Sequence, residues 1–332
     1  MASHRSSVGR MLSVLAMAAC TVIVLAGSRN KTTTRATAED GPTVEPSPIS
    51  HQYLFDLRLI TETVGSLRRI HTDAMDTDIP VAAKPLLTTL KHQLRDLIAN
   101  RLRFEKRQVS TQQLQARAIV DLSDLGLIVD EEGSFFDASE VEKGYSYGDI
   151  ESITVARPHD CFDLIAVTTT LGVCCGEDTS LYLFKYEDGA WRLDLADEKN
   201  DYDRIDVARR LFEFGVSWLD ENHDIFVVTA SVNSWCSSNW QSITFRVLRP
   251  GQEPYEPRVL LSRSQTIYLG AADPPYRLEV DDSDFTLKFW GDKYEDSVSR
   301  PEEEDSDPEG LKDSLKELVR CRVKGDAVIT QK

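Results

Sequence analysis

The chain has 332 residues, 38 of them Lys or Arg and 55 Asp or Glu, which gives a formal net charge of -17. That length allows one large domain or two modest ones. The acidic surplus lies in residues 118–332, where 22 basic residues stand against 45 acidic ones, whereas residues 51–117 hold 11 basic and 7 acidic residues. A surface this acidic repels phosphate backbones, so the C-terminal part is predicted not to bind nucleic acid.

Residues 1–26 have the layout of a secretory signal peptide. Arg5 and Arg10 precede an uninterrupted run of small and apolar residues from Met11 to Ala26, and a polar tract follows. As a helix this run spans about 24 Å, less than the roughly 30 Å hydrocarbon core of a bilayer. Cleavage after Ala26 is the first prediction, retention as an N-terminal anchor the second, and lipidation at Cys20 the third. In each case we expect an exported chain that is secreted, periplasmic or tethered to the outer face of a membrane, which it contacts only through this segment.

Two segments are predicted to be disordered. Residues 27–50 are rich in Thr, Pro and Ser without a hydrophobic period, which is typical of a spacer. Residues 299–310 carry six acidic side chains, and such a run repels itself. We therefore expect a disordered acidic insertion there.

Residues 51–117 are predicted to form a helical hairpin arm. Apolar residues recur at helical spacing on both sides of a proline-containing break at Asp76–Pro85. The two stripes consist of Tyr53, Leu57, Ile60, Val64 and Leu67, and of Leu87, Leu90, Leu94, Leu97, Ile98 and Leu102. The basic residues lie mainly off these stripes. We expect these residues to form a solvated helix face whose positive charge is neutralised by the acidic remainder of the chain. The alternative is an electropositive surface that binds anionic lipid or an acidic partner.

An internal repeat organises residues 118–332, the predicted β-repeat domain. A stretch that starts at Asp163 matches, without a gap, one that starts 61 residues later at Asp224. The identical positions are Asp163/Asp224, Val167/Val228, Thr168/Thr229, Cys175/Cys236 and Phe184/Phe245. Each copy predicts a β-branched strand, a long loop with a cysteine, an alternating strand and a turn into a further strand.

The predicted fold class is α+β and mainly antiparallel β, with tandem four-stranded meander units after the helical hairpin. The units span about residues 150–195, 213–261 and 266–331. Meanders at this period resemble β-propeller blades, although three units are fewer than the usual four to eight and no WD or kelch motif is present. An incomplete propeller, an open sheet and a sandwich are the alternatives. Residues 118–150 predict a short strand or two, and Val207–Phe212 predicts one helical turn.

The cysteines suggest disulfides, because an exported chain permits them. Cys175 and Cys236 fall in equivalent loops of neighbouring units, so they form the first predicted pair. Cys161 and Cys321 form the second. Cys174 is then left over, since five cysteines remain after the first 26 residues are removed.

The loop Ser234–Trp240 is the most distinctive candidate binding site. Trp235 and Trp240 flank Cys236 in polar surroundings, so that with Asn239 they would form an aromatic platform for a ligand. In the alternative interpretation one or both indoles cover the end of the core.

An acidic loop offers candidate calcium ligands. Asp197, Asp201, Asp203 and Asp206 supply the oxygen atoms that Ca²⁺ requires, but they lack the spacing and the glycine of an EF-hand. A solvated acidic loop is therefore the preferred interpretation.

Two histidine–aspartate pairs are candidate catalytic residues. His159 and His223 each precede an aspartate just before a predicted strand, and His223 with Asp224 would serve a nearby serine as base. The candidate serines are Ser234, Ser237 and Ser238. The preferred interpretation is that both pairs are turn residues entering strands.

The sequence contains no recognisable catalytic motif, because it lacks a G-x-S-x-G elbow, an H-E-x-x-H pair, a Gly-rich phosphate loop and a dinucleotide fingerprint. The predicted function is therefore a non-catalytic extracytoplasmic binding or scaffold module. Its partner is an unknown protein or glycan, and no cofactor is expected beyond the possible Ca²⁺. One alternative is a secreted hydrolase that uses carboxylates or the His223 region. The other is an envelope-tethered adaptor that binds through the basic helices.

Overall fold

Helices come first in the chain and strands follow. A computed structural model describes residues 51–70, 78–128, 147–173, 176–200, 202, 208–218, 224–233, 238–270, 274–291 and 316–331. The helices are α1 (His51–Leu67), α2 (Ala83–Leu102) and α3 (Thr111–Ser123). The signal segment, the spacer and the acidic insertion lie outside the described residues.

The first two helices follow the predicted stripes. Every apolar stripe residue of α1 and α2 is buried, and the two helices pack against each other. This burial stabilises the helices because an amphipathic face gains more from packing than from helix propensity.

The third helix corrects the expected strand at residues 118–150, because residues 118–123 are its last two turns. The Ser110 hydroxyl accepts a hydrogen bond from the Gln113 N–H and so caps the first turn of α3. Leu114 and Leu122 are buried on one face, at the spacing of a helix. Residues 129–146 lie outside the described part of the chain.

The strands form three four-stranded antiparallel sheets, each ordered as the chain runs. The predicted meanders are therefore confirmed. The first sheet comprises β1 (Ile150–Ala156), β2 (Leu164–Val173), β3 (Gly176–Glu187) and β4 (Ala190–Asp197). The second comprises β5 (Arg209–Val216), β6 (Val227–Asn233), β7 (Trp240–Arg249) and β8 (Arg258–Tyr268). The third comprises β9 (Tyr276–Val280), β10 (Asp284–Trp290), β11 (Lys316–Lys324) and β12 (Ala327–Gln331).

Strand β5 replaces the helical turn expected at Val207–Phe212. Arg209 pairs with Asn233 and Arg210 with Val232 across the β5–β6 ladder. Ladder pairing in a buried sheet outweighs local helix propensity here. Residue 207 itself lies outside the described residues.

The repeat holds for strand order but not for hairpin register. Phe184 pairs with Ile165 in the first sheet, whereas the matching Phe245 pairs with Ala230 in the second. The cause is loop length, because two residues (174–175) separate β2 from β3 and six (234–239) separate β6 from β7. The expected long cysteine loop is therefore reduced to two residues in the first copy.

The three sheets stack face to face, and the first of them packs on the helices. One face of the first sheet shares a hydrophobic cluster with the helices. Its other face packs on the second sheet, where Leu164 and Leu183 meet Val227 and Leu248. The far face of the second sheet packs on the third through Phe245 and Phe285, whose ring centroids lie 6.3 Å apart. The described residues thus form four layers and no closed propeller.

Burial of both faces explains why β2 is apolar along most of its length. Within β2, Leu164 and Ala166 face the second sheet, while Ile165 and Val167 face the helices. A strand covered on both sides loses the alternation of a half-exposed strand.

Gly215 tests the contact between the second and third sheets. A Cβ atom on Gly215 of β5 would lie 2.3 Å from the Val280 Cγ2 of β9. We expect Gly215→Ala to lower the free energy of unfolding by about 1–3 kcal/mol, because overpacking forces the strands apart. Urea denaturation measures the change.

Gly65→Ala is the matched control. Gly65 lies inside α1, and its added methyl would meet only the Arg69 guanidinium at 3.8 Å. This substitution should raise stability by about 0.5–1 kcal/mol through helix propensity. Equal effects of the two substitutions would contradict the packing described for β5 and β9.

Candidate functional site: an aromatic cleft

Strands β5 and β9 lie side by side and run in the same direction. Three contacts join residues 65 positions apart. The Tyr276 hydroxyl donates to the Leu211 carbonyl, the Leu278 N–H donates to the Glu213 carboxylate at 2.9 Å, and Gly215 touches Val280. The two edge strands are therefore held together by side chains rather than by a continuous backbone ladder.

A β-bulge in β5 lies beside this contact. The ladder passes from the pair Arg210–Val232 to the pair Glu213–Ala230, so that Leu211 and Phe212 lie opposite the single residue Ser231 and β5 has one extra residue. Leu211 has a φ of 48°, a left-handed conformation that costs a bulky residue about 1–3 kcal/mol. Its N–H donates to the Glu177 Oε1 of the first sheet at 3.0 Å, and its carbonyl accepts from Tyr276 of the third. Side chains from two other sheets thus hold the strained residue in place.

A cleft of about 780 Å³ opens where β5 and β9 separate above the Gly215 contact. Its size suits a drug-sized or oligomeric ligand. Five aromatic rings line it, together with two prolines, one leucine and three charged side chains. These residues are Phe212, Glu213, Phe214, Pro274, Pro275, Tyr276, Arg277, Leu278, Lys288, Phe289 and Trp290.

Two polar groups in the cleft have shifted acidities. Burial raises the pKa of Tyr276, and the charge of Glu213 adds to the shift, so its hydroxyl stays a donor. Burial also raises the pKa of Glu213, which the Leu278 N–H and the charge of Arg277 oppose. Both groups are committed to holding β5 against β9, so they shape the cleft.

The rim of the cleft carries two basic side chains. Arg277 and Lys288 lie 3.0 Å and 3.7 Å from the Glu279 carboxylate, and both remain largely exposed. Exposed pairs of this kind contribute little stability. Tyr276, Phe289 and Trp290 are almost fully buried, so Phe212 and Phe214, which are half-buried, are the rings available for stacking beside the two basic side chains.

A buried ionic network lies on the other side of the first sheet. Lys91 of α2 and Asp178 of β3 form an ion pair with no solvent exposure on either side chain. Asp178 also accepts hydrogen bonds from the Tyr202 hydroxyl and, at 2.9 Å, from the Arg209 N–H. The ammonium group of Lys91 donates to the Lys199 carbonyl at 2.5 Å. Helix α2 is thereby joined to β3 and to the start of β5.

The network continues through Asp197 at the end of β4. Its carboxylate accepts from Arg209 of β5 at 2.7 Å and from Arg246 of β7 at 2.6 Å. Burial alone would raise the pKa of Asp197, but the two guanidinium groups hold it below its ordinary value. Burial lowers the pKa of Lys91, against the opposing charge of Asp178. Since these groups are sealed from solvent, the network serves structure rather than substrate binding.

Two of the three predicted platform residues, Asn239 and Trp240, are not among the residues that line the cleft. Trp235 lies outside the described residues. Asn239 is exposed and its carbonyl accepts from the Leu269 N–H at 2.8 Å, while Trp240 begins β7 and its ring lies 4.7 Å from that of Tyr268. The role of these residues in ligand binding stays a prediction.

Only one of the four predicted calcium ligands lies in the described part of the chain. Asp197 is buried between two arginines, so its oxygens are occupied by guanidinium groups. Asp201, Asp203 and Asp206 lie outside the described residues. The described part of the chain contains no group of three acidic, histidine or cysteine side chains placed to hold a metal ion.

The second predicted disulfide is not formed. Cys161 and Cys321 are both free thiols, and they lie beside different hydrophobic clusters. The separation follows from the layering, since Cys161 packs between the first two sheets and Cys321 between the last two. Cys20, Cys175 and Cys236 lie outside the described residues.

Of the histidine–aspartate candidates, one histidine lies in a turn and the repeated aspartates form ion pairs. His159 has a φ of 52° in a short 3₁₀ turn, and its ring stacks on Trp218 at 4.3 Å. His223 lies outside the described residues. The repeated aspartates each accept from an arginine, Asp163 from Arg107 at 2.5 Å and Asp224 from Arg249 at 3.2 Å.

Basic residues of the helical region pair with acids of the β region. Arg68 lies 2.8 Å from Asp149, and Arg95 lies 3.4 Å from Glu198. Arg107 pairs with Asp163, as described above. These contacts favour the interpretation that the acidic β region balances the basic helices. None of the described helices combines the length and apolarity needed to cross a bilayer.

The sequence carried a signal for the cleft that the predictions missed. The segments Phe212–Phe214 and Pro274–Tyr276 both concentrate aromatic or cyclic side chains, and Phe289–Trp290 ends β10. Only the register and the approach of β5 to β9 bring the three segments together.

Comparisons with known proteins found no matching family model, no matching curated protein and no matching solved structure.

Lys91 tests the buried network. We expect Lys91→Met to lower the free energy of unfolding by about 3–5 kcal/mol, because it leaves the Asp178 charge buried without its ammonium partner. The double variant Lys91→Met/Asp178→Asn should recover part of that loss, since it removes both charges. Arg103→Met, at the exposed C-terminal end of α2, is the control and should change stability by about 0.5 kcal/mol or less. A loss as small as that of the control would contradict the proposed importance of the pair.

Glu151 gives the fold a pH dependence. Its Oε1 lies near Gly172, which pairs with Glu177 across the β2–β3 ladder. Burial, and next the charges of Glu177 and Asp149, raise the pKa of Glu151 from 4.5 to about 7. A raised carboxyl pKa means that the stability linked to this group is full below pH 4.5 and is lost as the pH rises through about 7.

Glu151→Gln should remove this dependence. We expect the variant to match the wild type near pH 5 and to exceed its melting temperature at pH 8, because the amide carries no charge to repel Glu177. Thermal unfolding from pH 5 to pH 8 measures the difference. Identical pH profiles for the two proteins would rule out the carboxyl pair as its source.

Proposed function

We propose that the chain is a non-catalytic extracytoplasmic binding module whose ligand occupies the aromatic cleft between β5 and β9. The observation that carries the proposal is the cleft itself, with five aromatic residues in the lining of about 780 Å³ and two basic side chains at its rim. Aromatic walls contribute large contact areas with little loss of side-chain entropy.

The polar groups of the cleft support binding rather than catalysis. Glu213 and Tyr276 are engaged in holding the two strands, and the described cleft-lining residues include no serine, threonine, cysteine or histidine. The hydrolase alternative rests on Asp224, which is ion-paired with Arg249, and on His223. The adaptor alternative rests on basic helices whose arginines Arg68, Arg95 and Arg107 have acidic partners within the chain.

The propeller-like interpretation of the fold is also a proposal. Its support is the face-to-face stacking of three meanders and the parallel course of β5 and β9, the first strands of consecutive sheets. The proposal describes an incomplete propeller, since three sheets fall short of the usual four to eight blades. An experimental structure that covers residues 129–146 decides whether a further blade exists.

Phe214 tests the proposed binding function. We expect Phe214→Ala to weaken ligand binding about tenfold, because it removes one aromatic wall of the cleft. The measurement is isothermal titration against a panel of neutral glycans, acidic glycans and unstructured peptides. Phe104→Ala, which removes an exposed ring after α2, is the control and should leave affinity unchanged. Absence of binding across the panel, or equal effects of the two substitutions, would refute the proposal.

A further inference from the structure

The outer face of the third sheet is basic, although the chain as a whole is strongly acidic. Alternate residues of each strand point away from the second sheet, because their neighbours Phe285, Leu287 and Phe289 are buried against it. Among the side chains that the structure describes, the ladder registers place seven charged ones on this outer face. They are the basic residues Arg277, Lys288, Arg320, Arg322 and Lys324, and the acidic residues Glu279 and Asp284.

The acids neutralise only part of this charge. Glu279 is shared by Arg277 and Lys288, and Asp284 accepts two hydrogen bonds from Arg322, at 2.9 Å and 3.1 Å. Arg320 and Lys324 are exposed, and neither has an acidic partner in the described part of the chain. The face therefore carries three positive charges in excess on a chain whose net charge is -17.

The basic face and the aromatic cleft are continuous. Arg277, Lys288 and Trp290 belong to the outer face and also line the cleft. Charged residues along one strand are spaced about 6.6 Å apart and neighbouring strands lie about 4.8 Å apart. A polymer that enters the cleft can thus extend across a regular array of cations.

We propose that the ligand is an acidic glycan, whose sugar rings stack on the aromatic walls while its carboxylate or sulfate groups meet the basic face. This inference rests on the proposed binding function and adds the class of ligand to it. The charge of the face selects an anionic polymer, and the rings of the cleft select one with flat apolar faces.

A peptide strand fits the cleft less well. Extended peptides bind sheet edges through backbone hydrogen bonds. Several of those groups are already occupied here, since Leu278 donates to Glu213 and Leu211 donates to Glu177 and accepts from Tyr276. The net charge of -17 repels a phosphate backbone and an acidic glycan alike over long range, so a single-stranded oligonucleotide is included in the test as the competing polyanion.

The test compares matched probes by isothermal titration with the full chain. The probes are a galacturonate octamer, its neutral methyl ester, a sulfated heparin octasaccharide, a polyglutamate peptide and a single-stranded oligonucleotide. We expect binding of the galacturonate octamer, of the heparin octasaccharide or of both, with weakening as salt rises. Binding of the heparin octasaccharide without binding of the galacturonate octamer would show that sulfate groups are required, because heparin carries both sulfate and carboxylate groups. Equal affinity for the octamer and its methyl ester, or tighter binding of polyglutamate or the oligonucleotide, would overturn the proposal.

Two exposed residues provide the variant. Arg320→Ala/Lys324→Ala should weaken binding of the acidic glycan about tenfold, the upper range for two exposed charge contacts. The charge-matched control is Arg58→Ala/Arg192→Ala, which removes two exposed arginines from α1 and β4 and should change affinity less than twofold. Equal effects of the two pairs would refute a specific role of the basic face.

The outcomes separate this inference from the proposed function. If Phe214→Ala abolishes binding of the neutral ester while Arg320→Ala/Lys324→Ala has no effect on any glycan, the cleft binds but the ligand is not selected by charge. If no probe binds, both proposals fail. If the octamer binds only after the six acids of residues 302–309 are changed to amides, the chain's own acidic segment occupies the face and the glycan proposal is overturned.

Discussion

The buried pair of Lys91 and Asp178 is the interaction on which the arrangement of the layers depends. Two opposite charges without solvent contact require each other, because either one alone would be very costly to bury. Asp178 also accepts a hydrogen bond from the Arg209 backbone N–H, the Arg209 guanidinium binds Asp197, and Asp197 also binds Arg246. This chain of ion pairs and one backbone hydrogen bond fixes helix α2, the first sheet and the second sheet relative to one another, where apolar packing alone would tolerate sliding.

Leu211 extends this organisation to the third sheet. Its backbone is held by Glu177 from the first sheet and by Tyr276 from the third, while its own strand belongs to the second. The strained conformation persists because contacts from both sides determine it. Displacement of the bulge would alter the position of Phe212, so the width of the cleft is linked to the same junction that joins the sheets.

The hydrophobic periodicity of the sequence and its turn residues predicted the first two helices and the meanders correctly. Asp188 and Gly189 both have positive φ between β3 and β4, as a two-residue hairpin requires, and both helical stripes are buried. The sequence could not predict the hairpin register of the repeat, because a loop of two or six residues leaves the strand pattern unchanged. Two predictions from the sequence were wrong, a strand where α3 lies and a helical turn where β5 lies. Capping by Ser110 and pairing with β6 determine the structure at these two places. The cleft could not be predicted either, because it forms only where β5 and β9 come together. That approach depends on Gly215 and on contacts between residues 65 positions apart.

The charged outer side of the third sheet also limits how far the fold can grow. The interface between the second and third sheets is apolar, so an apolar outer face on the third sheet would invite another copy of the chain to dock on it. A neighbour placed on Arg277, Lys288, Arg322 and their acidic partners would have to strip water from all of them without burying a matching apolar surface. The charged face thereby disfavours stacking on the third sheet, as the polar outer face of a capping repeat does.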